Sequence, residues 1–131
     1  MKITTGDVFC GTHANLLNEL GLRTKSGEKF EQYYKAYYAL DSDTYIWIIN
    51  IDGKERSGWI NSWVDTDTII ERNIDRIYHP IGLTHKHRVV FHKNRSPAGN
   101  TFTFKGYFKL QPESTNEKRI LKKIGDEFEL S

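Results

Sequence analysis

The sequence predicts an α+β domain built on a curved sheet or partly open β-barrel, with one or two flanking helices. Three features support this prediction: strand-like alternation through residues 86–110, a short β-branched apolar run at residues 44–51, and one helix with clear end signals after Thr12. The chain contains no repeat, low-complexity segment or internal boundary. We therefore expect residues 1–131 to form a single domain.

The strongest strand signal is a predicted β-hairpin at residues 86–110. Its first strand alternates around Val89 and Phe91, and a turn-rich loop follows at residues 94–100. Apolar or glycine residues then recur at every second position, namely Phe102, Phe104, Gly106, Phe108 and Leu110. Because alternate residues point to opposite faces, we expect one buried apolar face and one exposed basic and aromatic face with Lys105, Tyr107 and Lys109.

A helix and several further strands are predicted around this hairpin. Thr12 is a good N-cap, and Gly21 suits the left-handed position just after the helix, with Leu22 packing back on Leu17. Residues 30–40 fit both periods, and their tyrosines favour a helical turn or two followed by a strand. Residues 44–51 suit a strand buried on both faces, and shorter strands are predicted at 58–64, 68–71 and 119–124.

The composition narrows the class of protein. The chain has 131 residues, 13% aromatic residues and a net charge of +2, which suits a folded domain rather than a disordered segment. Cys10 is the only cysteine, so an intrachain disulfide and a cysteine zinc site are excluded. Without a signal peptide or a long apolar run, we expect no membrane association and a reducing, cytoplasmic location.

Three tryptophans and one asparagine are candidates for binding a base. Trp47 lies in the apolar run, and Trp59 and Trp63 lie on one side of the next predicted strand with Asn61 between them. Bases stack on aromatic faces, and an amide can form hydrogen bonds with a base edge. The alternative is that all three tryptophans fill the core. A buried amide between two indoles would then need hydrogen-bond partners of its own.

Basic residues of the hairpin are candidates for contacting phosphate. Residues 85–95 contain no acid, and together with the second strand they supply the predicted phosphate-binding set Lys86, Arg88, Lys93, Arg95, Lys105 and Lys109. His85, His87 and His92 could suggest a metal, but His92 would point away from the other two, and no acid is close in sequence. A basic strand is the favoured interpretation, and we predict no metal site and no cofactor.

Catalytic motifs are absent from the sequence. There is no glycine-rich phosphate loop, nucleophile elbow or metalloprotease helix. Asp65, Asp67 and Glu71 could form the acid cluster of a nuclease, but no lysine follows Glu71 at short spacing, and the run is typical of a solvated turn. We therefore predict that the chain is not an enzyme. Magnesium-dependent DNA cleavage would favour the nuclease alternative.

Segments at the two ends of the chain carry a family resemblance. Residues 6–9 precede the predicted helix, which ends in Gly21, Leu22 and Arg23, and residues 88–90 are followed by the aromatic strand at 102–110 with its internal glycine. In these segments the chain resembles the SRA domains, members of the wider PUA-like group that read modified bases. The resemblance implies a PUA/SRA-like bent β-barrel and binding of a flipped, modified base, often as the specificity module of a modification-dependent restriction system.

The chain departs from the family at one motif. The Tyr-Asp-Gly signature of the family would fall at Phe104, Lys105 and Gly106, where the acidic position is a lysine. The family's base-pocket residues therefore cannot be transferred, and we predict that the base is bound by Trp47, Trp59, Asn61 and Trp63.

The predicted function is a nucleic-acid-binding module that reads a modified, flipped base. DNA is favoured over RNA, and a nuclease is the expected partner protein. Flipping a base costs a few kcal/mol, which stacking and edge hydrogen bonds in a pocket must offset. The alternative is a small interaction or inhibitor protein of a mobile element, which would bind a protein target or a free nucleotide. Salt-dependent binding of modified duplex would distinguish the reader from the inhibitor.

Overall fold

Eleven strands and two short helices make up the computed structural model, which describes residues 1–131. The strands are β1 (Lys2–Thr4), β2 (Val8–Cys10), β3 (Tyr37–Ala39), β4 (Thr44–Ile49), β5 (Glu55–Arg56), β6 (Trp59–Asp65), β7 (Thr68–Asn73), β8 (His87–Ser96), β9 (Gly99–Leu110), β10 (Lys118–Gly125) and β11 (Glu127–Glu129). The helices are α1 (His13–Glu19) and α2 (Ile81–Thr84).

One nine-stranded sheet organises the fold. Its main path runs β3-β4-β8-β9-β10-β7-β6-β5, β2 pairs with β9, and β1 and β11 form a separate two-stranded ribbon. The pairing of β4 with β8 is parallel, and the other pairings are antiparallel. Tyr37 of one edge strand and Arg56 of the other line the same cavity, so the sheet curls into a half-barrel. The predicted curved sheet with flanking helices is confirmed.

The predicted α1 and its end signals are confirmed. Thr12 Oγ1 accepts a hydrogen bond from the Asn15 backbone at 3.1 Å, and Asn15 Oδ1 accepts one from the Thr12 backbone at 2.8 Å. At the other end, Gly21 has a φ of 82°, and the Leu22 N–H donates to the Leu17 carbonyl at 3.0 Å. These contacts satisfy backbone groups that a short helix leaves unpaired at both ends.

Apolar clusters cover both faces of the sheet. In β8, Val89 and Phe91 belong to a first cluster, which packs under α1, whereas Val90 belongs to a second cluster. Because successive strand residues point to opposite faces, the two clusters lie on opposite sides of the sheet. All six residues of β4 are buried, which confirms the prediction of a strand covered on both faces.

A bulge in β9 changes the predicted alternation. Lys105 has no partner in β8, and the residue after it, Gly106, has a φ of 128°. The extra residue reverses the side on which later side chains lie, so Phe104 belongs to the first cluster and Phe108 to the second. Tyr107 is half-buried against the first cluster. The prediction of one apolar and one exposed face is therefore wrong, although the phenylalanines are fully buried.

Two local predictions also need correction. Residues 30–36 form no helical turn; Phe30, Tyr33 and Tyr38 instead pack edge to face, with ring centroids 5.7–5.9 Å apart. The turn-rich loop at 94–100 is mostly strand, since β8 continues to Ser96 and β9 begins at Gly99. The predicted strands at 58–64, 68–71 and 119–124 are confirmed as β6, β7 and β10.

No helix of this fold has the length and apolar character needed to cross a bilayer.

The burial of Phe104 provides a test of the first cluster. Replacing Phe104 with alanine should lower the free energy of unfolding by about 3–5 kcal/mol, because it removes a fully buried ring and leaves a cavity. Denaturant unfolding measures the change. Val64→Ala is the matched control, since Val64 is 58% exposed and its truncation should have little effect. Equal midpoints for the two variants would contradict this packing.

Candidate base-binding pocket

A cavity of about 490 Å³ opens between the two edges of the curled sheet. Its size falls within the range of small-molecule sites in proteins. Five large aromatic side chains line it: Tyr34, Tyr37, Tyr45, Trp47 and Trp59. Its polar lining includes His13, Lys35, Asn50, Lys54, Arg56, Asn61, Glu71, His79, Lys93 and Arg119. The cavity therefore combines aromatic walls with a basic surround.

The structure brings Trp47, Trp59 and Asn61 to this cavity. Trp47 lies on β4 and is only 3% exposed, with the Arg88 guanidinium 4.4 Å from a ring centroid. Trp59 begins β6 and is half-buried, with the Arg119 guanidinium 5.0 Å from its ring. Trp47 thus belongs both to the core and to the cavity wall, whereas Trp59 has more surface available for stacking.

Trp63 does not line the cavity, in contrast to the prediction. It projects from the same strand as Trp59, but the separation of four residues along β6 places it about 13 Å further on. There its ring lies 6.0 Å from the ring of Phe108, against the second apolar cluster. The core alternative considered for the tryptophans therefore applies to Trp63.

Buried charges form the wall beside Asn61. Glu71 lies directly opposite Asn61 on the neighbouring strand and directly opposite Arg119 on the other side. Glu71 Oε1 lies 3.1 Å from Arg88 Nη2 and 3.3 Å from Arg119 Nη1, and the two arginines are 0% and 2% exposed. Arg88 is therefore corrected from a phosphate ligand to a buried ion-pair partner. Glu71 likewise lies in this wall and not in a solvated acid cluster with Asp65 and Asp67.

The same arginines fix the loop that closes one side of the cavity. Arg88 Nη2 donates to the Gly82 carbonyl at 3.1 Å, and Arg119 Nη2 donates to the His79 carbonyl at 2.6 Å. A Cβ at Gly82 would lie 2.3 Å from Arg119 Nη1, so a side chain there would displace the guanidinium. Asn116 Oδ1 accepts a further bond from Arg119 at 2.9 Å. The loop is thus held by buried donors from the sheet.

A basic rim surrounds the cavity opening, and sequence reasoning missed most of it. Its cations are Lys35, Lys54, Arg56 and Lys93. Of these, only Lys93 was predicted, because the others come from separate loops and edge strands that only the curl of the sheet brings together. Arg56 is paired with Asp52 through two contacts of 2.7 Å, which partly offsets its charge.

The other residues predicted to bind phosphate lie outside the cavity lining. Lys86, Arg95 and Lys109 are exposed, and Lys105 is half-buried. Lys86 Nζ donates to the Leu83 carbonyl at 2.6 Å.

The hairpin histidines make contacts that their sequence positions did not indicate. His87 Nδ1 lies 2.6 Å from an oxygen of Asp43, because β4 and β8 pair in parallel and bring the turn before β4 beside His87. The hydrogen bond from His87 lowers the pKa of the Asp43 carboxyl. No group of three or more histidine, cysteine or acidic side chains is arranged to hold a metal ion.

His13 and Lys93 form a coupled pair at the rim. His13 Nδ1 lies 2.9 Å from the Lys35 carbonyl, and its Nε2 lies 3.0 Å from Lys93 Nζ. Burial, supported by the charges of Lys93 and Arg95, lowers the pKa of His13, and burial with the charge of Arg95 lowers the pKa of Lys93. In the neutral imidazole, Nδ1 donates to the carbonyl and Nε2 accepts from the ammonium group. This arrangement holds the Lys93 cation at the cavity.

A half-barrel with an aromatic pocket and a cationic rim indicates a class of protein that binds nucleic acid. Sequence comparison agrees with this class: residues 4–130 match the model of the SRA family, the SET and RING associated domain. The chain therefore belongs to the SRA family, and it is a DNA-binding module of the kind that reads a modified base. Membership of this family favours a module that reads a base over the inhibitor protein, the alternative that the sequence had left open.

A structural comparison supports the fold assignment. The chain superposes on the 5-hydroxymethylcytosine-specific restriction enzyme AbaSI with a TM-score of 0.73 and 20% sequence identity. The match covers 98% of this chain and 42% of the AbaSI chain. No curated protein gave a significant sequence match.

The His13 contacts predict a pH effect on stability. Because the pKa of His13 is below 6.5 in the folded protein, the unfolded chain takes up the proton first, and the free energy of unfolding should fall as the pH drops below about 6.5. His92 contributes in the same direction, since burial also lowers its pKa. Denaturant unfolding at pH 7.5 and 5.5 measures the fall.

The His13→Gln variant isolates the contribution of this one side chain. It should show a smaller fall than the wild type, while Val64→Ala, at an exposed site without an ionisable group, should keep the full fall. A fall of the same size in His13→Gln and wild type would contradict the assignment.

Proposed function

We propose that this domain reads a modified cytosine that is rotated out of a DNA duplex into the cavity beside Trp59. The supporting observation is the cavity itself, which combines exposed aromatic surface, buried polar groups and a cationic rim. An extruded base is flat and polar at its edge, and it remains attached to phosphates on both sides. A pocket for such a ligand needs a stacking surface, edge contacts and nearby cations, which this cavity contains.

The roles that we propose for the pocket side chains follow from how deeply each of them is buried. Trp59 is the stacking surface, Trp47 forms the wall behind the base, and Asn61 contacts the base edge. Stacking of one base is worth about 1–3 kcal/mol, comparable with the few kcal/mol that extrusion costs. Trp59 can supply this stacking because it is only half-buried and because Arg119 already orders its ring from one side.

The structural neighbour suggests the modification and the biological setting. AbaSI is specific for 5-hydroxymethylcytosine, and we propose 5-hydroxymethylcytosine as the first ligand to test here. The chain spans 42% of the AbaSI length, so we propose that it acts as the specificity module of a modification-dependent restriction system. In this proposal residues 1–131 act as a single, non-catalytic domain in the cytoplasm, and a nuclease partner cleaves the DNA.

Phosphate contacts are proposed at the rim first and at the hairpin second. Lys35, Lys54 and Lys93 line the cavity, so they can contact the phosphates that flank an extruded nucleotide. Lys86, Lys105 and Lys109 do not line the cavity and would contact the duplex further along its backbone. Arg95, whose charge acts on His13 and Lys93, would contact the duplex next to the rim. DNA is proposed over RNA because the family binds DNA.

The Trp59→Ala variant tests the pocket. It should weaken binding of a duplex with one 5-hydroxymethylcytosine by about 1–3 kcal/mol and affect unmodified duplex much less, because only the extruded base loses its stacking partner. Fluorescence titration measures binding, and denaturant unfolding shows that the variant is folded.

Trp63→Ala is the matched control, since the same ring is removed outside the cavity. It should lower stability with little change in binding per folded molecule. A folded Trp59→Ala protein with unchanged preference for the modified duplex would disprove the pocket proposal.

The two groups of lysines can be separated by the salt dependence of binding. Replacing Lys35 and Lys54 together with glutamine should reduce the slope of log K against log salt by up to about two units, because each phosphate contact contributes about 0.9. Replacing Lys86 and Lys109 together makes the same change in charge at the hairpin. A larger reduction from the hairpin pair than from the rim pair would place the phosphate contacts there instead.

A further inference from the structure

The side of β7 and β10 that faces away from the cavity carries cations that no acid neutralises. Glu71 and Arg119 line the cavity, and because successive strand residues point to opposite sides of a sheet, their neighbours face outward. We call this surface the outer face, and its residues are Ile60 of β6, Ile70 and Arg72 of β7, and Lys118, Ile120 and Lys122 of β10. Arg72, Lys118 and Lys122 are exposed, and none of them forms an ion pair.

The cations of the outer face are placed where they repel one another. Arg72 and Lys118 are direct cross-strand partners. Lys122 likewise lies directly opposite Lys109, which is at the hairpin margin of the outer face. Like charges at directly opposite positions of antiparallel strands destabilise a sheet. The free domain therefore carries a repulsion on this face that an anionic partner would relieve.

Isoleucines lie between these cations. Ile70 and Ile120 are direct cross-strand partners, and Ile60 lies diagonal to Ile70 because it pairs with Arg72. All three isoleucines are partly exposed and belong to neither apolar cluster. A single exposed apolar side chain is ordinary, but a contiguous group bordered by charges has the apolar centre and polar rim of a protein–protein interface.

The charge of the outer face selects among the occupants that could cover it. Two acids lie at its margins, and each accepts a hydrogen bond within its own turn: Glu55 Oε1 from the Gly58 N–H at 3.2 Å, and Asp65 Oδ1 from the Asp67 N–H at 2.8 Å. A second copy docked through the same face would oppose cation to cation. A duplex at the cavity lies on the other side of the sheet, and a second duplex would leave the isoleucines without an apolar partner. An acidic protein surface with an apolar centre matches both the charges and the isoleucines.

We propose that the outer face binds a partner protein through an extended segment that carries an acidic, an apolar and a second acidic side chain at every second position. Lys118, Ile120 and Lys122 themselves occupy every second position of β10, about 13 Å from first to last. An extended segment that runs along β10 has the same rise per residue, so its carboxylates meet the two lysines while its apolar side chain packs on Ile120. Arg72 contacts the carboxylate beside Lys118. This docking site does not depend on which base the cavity reads.

A labelled peptide tests this docking site. The probe is a fluorescein-labelled peptide of sequence Glu-Thr-Ile-Thr-Glu-Thr-Ile-Thr-Glu, and fluorescence anisotropy measures its binding to the whole domain. One control peptide replaces each isoleucine with serine, and the other replaces each glutamate with lysine. Wild-type protein should bind the probe at least tenfold more tightly than either control, because both the charges and the apolar centre are needed.

Variants then assign the binding to the outer face. Lys118→Glu places an acid opposite Arg72, so it should raise the denaturant midpoint of the free domain and weaken binding of the probe at least tenfold. Ile120→Ser should bind the probe and the serine control equally. Lys25→Glu is the matched control, since it makes the same change in charge at an exposed loop position and should bind the probe as wild type does.

Several results would overturn the docking site. Equal binding of the three peptides by wild-type protein is one, and binding of the probe by Lys118→Glu as tightly as by wild type is another. If unmodified duplex loses more affinity in Lys118→Glu than in Lys25→Glu, the outer face belongs to the DNA interface instead. If sedimentation shows wild-type dimers that Lys118→Glu dissociates, the occupant is a second copy. These outcomes leave the pocket at Trp59 untouched, because it is tested with modified duplex.

Discussion

The interaction on which this structure depends is the buried ion pair network of Arg88, Glu71 and Arg119. It joins β8, β7 and β10 with α2 and the loop before it, and its three side chains are almost completely removed from solvent. Burying charge is costly, so such a network persists only when each charge has partners. Here two arginines share one carboxylate, and the excess positive charge is met by carbonyl groups of the loop and by the faces of Trp47 and Trp59.

This network explains why a polar pocket can exist inside a small domain. Arginine contacts to the carbonyls of His79 and Gly82 hold the loop and α2 as one wall, and the indole rings stacked on guanidinium groups form other walls. A purely apolar core would close over the same space, because side chains there can collapse together. Charged groups fixed by several contacts resist that collapse and keep hydrogen-bonding capacity directed into the cavity. The open half-barrel and the polar lining are therefore consequences of the same contacts.

Much of the fold could be predicted from local signals, and much of the site could not. Helix α1, the buried β4 and the paired strands β8 and β9 each have a periodic pattern or a cap that is complete within a few residues. The bulge at Lys105 does not disturb the alternation of apolar and polar residues in the sequence, but it places the later side chains on the opposite face of the sheet. Only the pairing of β8 with β9 reveals it. Glu71 and Arg88 look like surface charges in sequence, because the partner that makes burial tolerable is distant in the chain. The location of Trp59 and Asn61 at a cavity could be predicted, since an amide between indoles is itself unusual.

The curl of the sheet also links ligand binding to the cooperativity of folding. The cavity takes residues from His13 to Arg119, including both edge strands, so no fragment of the chain contains a complete wall. The parallel pairing of β4 and β8 requires a long connection, which makes many of the stabilising contacts distant in sequence. Any opening of one edge removes the binding site, and a bound duplex opposes every such opening. At a ligand concentration of one hundred times Kd, this coupling adds about 2.7 kcal/mol to the stability of the entire domain. Ligand binding therefore stabilises the whole domain rather than one local segment of it.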